Sequence, residues 1–195
     1  MTGMNIHHLF VEASREADRL AHGVAPEMMT GRTPCGEFDT RTLVNHWVLY
    51  TSHGLEHRAL RTSLPAELQE RDFTAEPDWA DAYGAQLRRA VDAWAPPQVW
   101  EGDVDMGDGT RFPAAEIAAM VFTEMVVHGW DVARATGQEY RASRELAETV
   151  ERIVLKYAEM FRQYDGFDDA VTPAPDAGPL DRALAASGRD PHWKP

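Results

Sequence analysis

Glu124 and His128 stand four residues apart in Thr123-Glu124-Met125-Val126-Val127-His128-Gly129-Trp130-Asp131. Residues at that spacing share one face of an α-helix. The run from Ile117 to Val127 is otherwise almost wholly apolar, so the shared face should turn inward. An ionised carboxylate there is costly unless a cation or hydrogen-bond donors accompany it. A metal ion held by Glu124, His128 and one ligand from another helix would remove that cost. The best candidate for the third ligand is His46, in Leu43-Val44-Asn45-His46-Trp47-Val48. The competing reading is a Glu124 that is hydrogen-bonded to His128 or paired with an arginine, because acid–imidazole pairs at this spacing are also ordinary helix contacts.

Asp131 follows Glu124 by seven residues and falls on the same face. It can serve as a fourth ligand, as an acceptor for the outer N–H of an imidazole, or as a helix-end partner for Arg134. The acceptor role is preferred, since metal-bound imidazoles usually give their second N–H to such a group. His46, His53 and His57 form one stripe at 100° per residue, bordering the apolar face of their helix. The plain reading is a half-solvated boundary. His53 and His57 are a second i,i+4 pair, ranked lower because no carboxylate accompanies them. Cys35, in Thr33-Pro34-Cys35-Gly36, precedes a helix start, where a thiol pKa can fall. An inert small loop residue is the preferred reading. Asp103, Asp105 and Asp108 suggest a calcium loop but fail its pattern, with Ala114 where the closing glutamate belongs.

These groups need long helices to hold them. The first is expected from Asn5 to Ala21. The second starts at the N-cap Asp39 and runs to about Thr62, before Leu64-Pro65. After a polar link, a third starts near Pro77-Asp78, carries Trp79, Tyr83, Leu87, Val91 and Trp94 at helical spacing, and stops at Pro96-Pro97. Gln98 to Phe112 reads as a loop with one or two short strands. A fourth helix spans Ala114 to Thr136, ended by Gly137. A fifth spans Ser143, its N-cap, to Tyr164, and a short helix covers Leu180 to Ala186 ahead of a tail. This pattern predicts one all-α bundle domain over residues 1–195, the setting in which inward side chains of facing helices build metal sites.

A formal net charge of -13 argues against nucleic acid or an anionic membrane as partner. A single cysteine rules out an internal disulfide and fits a cytoplasmic location. No apolar run is long enough for a membrane span, and the N-terminus does not read as a signal peptide.

A histidine-bearing helix followed much later by Glu-x-x-x-His-Gly-Trp-Asp resembles the DinB/YfiT-like superfamily. Within it, the chain looks most like the N-terminal domain of mycothiol-dependent maleylpyruvate isomerase. The matching segments are Thr33 to Phe38, Leu43 to His46, and above all Glu124 to Gly137, with Leu184 to Trp193 similar to a closing signature of actinobacterial members. The resemblance implies a four-helix bundle with a His-Glu-His divalent site, zinc or nickel, at His46, Glu124 and His128. It further implies mycothiol or a similar thiol as cosubstrate, and a thiol transferase or isomerase-like activity on a small electrophile. That isomerase carries a further C-terminal domain, for which this length leaves no room, so a different substrate is expected. The alternatives are a non-catalytic, stress-related metal binder and a metal-dependent hydrolase. A homodimer is left open.

Overall fold

The computed structural model describes residues 6–36, 38–106 and 109–195. Asn5, Glu37, Gly107 and Asp108, which entered the sequence reading, lie outside them. The described chain is mostly helical, with α1 (His7–His22), α2 (Thr40–Val48), a π-helical segment (Leu49–Gly54), α3 (Leu55–Leu60), α4 (Ala66–Gln69), α5 (Trp79–Ala93), α6 (Ala114–Ala135), α7 (Arg144–Gln163) and α8 (Pro179–Ala186). The only sheet among the described residues is a two-stranded antiparallel ribbon, β1 (Asp103–Asp105) on β2 (Arg111–Pro113), with Val104 opposite Phe112.

Local chemistry accounts for several boundaries. Asp39 Oδ1 accepts the Thr42 N–H at 2.8 Å and caps α2, and the Ser143 hydroxyl accepts the Leu146 N–H at 3.1 Å and caps α7. Each satisfies a donor that the helix start leaves open. Gly137, at φ +68°, ends α6 in the left-handed conformation that glycine adopts without a Cβ clash. The second long helix departs from the expectation of one regular α-helix. The Thr51 hydroxyl bonds the Trp47 carbonyl at 2.7 Å and the Ser52 hydroxyl bonds the Val48 carbonyl at 2.6 Å. Side-chain bonds to carbonyls four residues back compete with the backbone ladder, and here the ladder opens into a π turn. The polar link also departs from expectation, folding into α4 and a single 3₁₀ turn, Phe73–Ala75.

Helix α1 packs on α5 and α6, α2 on α6, α3 on α5, and α7 on α8 and α6. One contiguous apolar cluster joins Leu9, Phe10 and Leu20 of α1 to Leu43 and Trp47 of α2, Tyr83 and Leu87 of α5, Phe122 and Met125 of α6, and Val150 and Val154 of α7. Helix α6 is buried on most of its circumference, packed by α1, α2, α3, α7, the π segment and the β ribbon. No helix among the described residues is long and apolar enough to cross a membrane.

Candidate metal centre

Two residues adjacent to the expected ligands set the spacing between α2 and α6. Trp47, next to His46, donates its indole N–H to the Met125 carbonyl, next to Glu124, at 3.2 Å. Gly129 lies against the same ring: a Cβ there would meet Trp47 at an ordinary contact distance of 3.4 Å and would crowd Tyr140 at 3.1 Å. With the indole seated there, His46 is carried onto Glu124.

His46 Nε2 lies 3.2 Å from Glu124 Oε2, and His128 Nε2 lies 3.4 Å from the same oxygen. The two imidazole rings meet edge to face, with centroids 4.9 Å apart and planes at 76°. The Glu124 side chain is 28 % exposed and that of His128 is 10 % exposed. Burial works against the Glu124 carboxylate, but the imidazoles of His128 and His46 hold it well below the usual carboxylate range.

Proton counting shows what the site requires. His128 Nδ1 faces Asp131 Oδ2 at 3.0 Å while its Nε2 faces Glu124. Both neighbours are carboxylate oxygens, and a neutral imidazole has only one N–H to donate. A second proton or a metal cation must therefore stand between His128 Nε2 and Glu124. In the metal-free chain the proton fills that role: burial pulls the His128 pKa down, but Asp131 and Glu124 push it up to about 9. The donor set also fits a metal. Zinc–ligand distances of about 2.0–2.2 Å give a tetrahedron with edges of roughly 3.3–3.6 Å, close to the two separations between the nitrogens and Oε2. His46, Glu124 and His128 thus bring three ligand atoms of suitable kind within 4.8 Å of one another.

Asp131 is fully buried, and its Oδ2 also accepts from Arg189 Nη2 at 3.2 Å. Arg189 lies just beyond α8, in the tail to which the sequence reading assigned no chemistry. No short-range pattern announces it. Arg134 is not a partner of Asp131: its guanidinium donates to the Trp193 carbonyl at 2.6 Å. Cys35 stands beside this pair, within 4.8 Å of His128 and Asp131. Burial raises its pKa to about 11, with the Arg189 charge acting in the opposite direction.

His53 and His57 do not join the site. The His53 ring stacks on Phe73 at 5.3 Å, and His57 Nδ1 pairs with the Thr62 hydroxyl at 2.8 Å. A cavity of about 280 Å³ opens over His46 and Glu124, walled by Ile117, Met120, Val121 and Phe161, with Tyr50 and Arg58 also on its lining. Arg58 went unremarked in the sequence. At 100° per residue it falls about 120° away from His46 on a regular α-helix. The π segment between them turns less per residue and brings both to one cavity. A larger hollow of about 480 Å³, lined by His57, Arg61, Asp103 and Arg111 among others, lies on the other side of Arg58 and holds none of the three candidate ligands.

No family model and no solved structure matches the chain. Two uncharacterised proteins of Mycobacterium tuberculosis, from strains CDC 1551 and H37Rv, are similar to it. Each is 27% identical over 179 residues, covering 87% of this chain and 90% of the relative.

Proposed function

We propose that the chain is a metalloprotein of the DinB/YfiT-like superfamily, in which His46, Glu124 and His128 hold one divalent ion, zinc or nickel. In this reading α1, the α2–α3 unit, α5 and α6 are the four helices of the bundle, and the ion serves transfer or isomerisation chemistry of a small mycothiol-type thiol. The observation that carries it is the convergence of two imidazole Nε2 atoms on one oxygen of Glu124, at the edge of a cavity. Three protein ligands are the usual complement of catalytic rather than structural zinc sites. When bound, such an ion lowers the pKa of a thiol that reaches it.

The chain's own residues have separate tasks. His46, Glu124 and His128 bind. Asp131 accepts a hydrogen bond from the Nδ1–H of His128, leaving Nε2 as the ligand atom, and Arg189 holds Asp131. Ile117, Met120, Val121 and Phe161 form an apolar wall that displaces water from the cavity. Cys35 is not assigned as a nucleophile, because its thiol is held protonated at neutral pH.

The test is metal analysis of the purified protein followed by cobalt substitution and addition of a thiol. The expected result is one metal per chain and a sulfur-to-cobalt charge-transfer band when thiol is added. Absence of stoichiometric metal overturns the metal site. A cobalt site that binds no thiol overturns the thiol chemistry and favours a hydrolase or a non-catalytic binder.

A further inference from the structure

We infer that the cavity over His46 and Glu124 takes a small carboxylate with an apolar body, anchored by Arg58. The inference deepens the metal-site reading and relies on it only for the identity of the neighbouring cation. Arg58 is partly buried on the cavity wall. Among the described residues its side chain makes one hydrogen bond, from Nη1 to the Gly54 carbonyl at 3.1 Å, and no carboxylate of those residues pairs with it. The contrast with other arginines is informative. Arg189 has Asp131, Arg19 has Glu16, and Arg61 donates to the backbone carbonyls of Arg58, Val99 and Glu101. A guanidinium carries five N–H donors in a planar fork that matches a carboxylate. Among the described residues the rest of that fork has no hydrogen-bond partner, and Arg58 lines this cavity as well as the larger hollow beside it.

The surroundings select the rest of the ligand. Ile117, Met120, Val121 and Phe161 present apolar surface. A volume of about 280 Å³ is at the low end for small-molecule sites, so the body is short. With a divalent ion in place, the ion and Arg58 outweigh the single negative charge of Glu124, and an anion reduces that excess. With the carboxylate on Arg58, the apolar body lies along Ile117, Met120, Val121 and Phe161.

The test is calorimetric titration of the metal-loaded protein with 3-phenylpropanoate and with the neutral 3-phenylpropanamide, repeated on Arg58→Gln and Arg58→Lys and on chelated protein. The wild type should bind the acid roughly tenfold or more tightly than the amide. Arg58→Gln should erase that preference while keeping the affinity for the amide and the full complement of metal. Arg58→Lys, which keeps the charge without the fork, should fall between. Equal affinity for acid and amide, no binding of the acid at millimolar concentration, or a preference that survives in Arg58→Gln overturns the proposal; the last would put the carboxylate on the ion. If Arg58→Gln does not fold, a preference unchanged in Arg58→Lys overturns it instead. An Arg58-dependent preference in protein that binds no metal supports this inference and sinks the metal reading. Full metal occupancy without the preference does the reverse.

Discussion

Arg189 Nη2 lies 3.2 Å from Asp131 Oδ2, the oxygen that also stands 3.0 Å from His128 Nδ1. The tail beyond α8 therefore reaches the outer side of the candidate ligand. Asp131 has no exposed surface, and a buried carboxylate needs such partners to remain ionised. Arg189, Asp131, His128, Glu124 and His46 form one continuous chain of alternating charge and imidazole.

Breaking that chain at Arg189 should loosen the metal without abolishing it. Arg189→Met leaves Asp131 buried with one partner fewer, and the melting temperature should fall, with a loss on the order of 3 kcal/mol. Metal affinity should drop about 10–100-fold in Arg189→Met and in Asp131→Asn, with one metal per chain still reached at saturation. Competition against a chromophoric chelator measures this. Affinity equal to wild type in both variants would remove the supporting role.

Single alanine substitutions at His46, Glu124 and His128 should each abolish stoichiometric metal binding, whereas His53→Ala should retain it. Helical circular dichroism should be largely kept after chelation, because the apolar cluster spanning α1 to α7 contains none of the three ligands. Elemental analysis and far-ultraviolet spectra check both. Metal loss in His53→Ala with retention in His46→Ala would reassign the site.

His53 should make the fold sensitive to mild acid. Burial lowers its pKa to about 4; Glu56 opposes this, and Arg71, Arg89 and His57 add to it by smaller amounts. An unfolded histidine takes up its proton near pH 6.5. The contribution of neutral His53 is therefore full above about pH 6.5 and is lost as pH falls toward 4, by at most about 3 kcal/mol. His53→Phe keeps a ring against Phe73, so its melting temperature should fall less than that of wild type between pH 7 and pH 4.5. Parallel curves would reject the assignment.

Cys35 should be a slow nucleophile. With a pKa raised to about 11, its thiolate fraction at pH 8 is a small fraction of that of a free thiol near pKa 8.5. Alkylation by iodoacetamide at pH 8 should run about 100-fold slower than in a denatured control. Reaction at the rate of the denatured control would mean that the thiol is neither buried nor protonated.

Much of the secondary structure was legible because its causes are local. Asp39 and Ser143 cap the helices they precede, Gly137 ends α6, and the apolar periodicity of α5 reports the face it buries. The i,i+4 relation of Glu124 and His128, and the i,i+3 reach from His128 to Asp131, follow from helix geometry alone. The pairing with His46 was expected as well, although His53 and His57 border the same apolar face and only the packing of α2 on α6 separates them.

The rest depends on contacts between distant segments. The π turn arises where the Thr51 and Ser52 hydroxyls compete with the backbone ladder inside a packed core, and a reading at 100° per residue carries Arg58 away from His46 and joins His46, His53 and His57 into a stripe the structure does not keep together. Arg189 reaches Asp131 across fifty-eight positions, through the docking of α8 on α7, and no periodicity encodes that distance. Sequence alone determined which side chains share a helix face, since that follows from backbone geometry within a few residues. Tertiary structure decided which faces meet, because burial, the bond from the Trp47 indole to the Met125 carbonyl and charge pairing are energies of whole surfaces brought together.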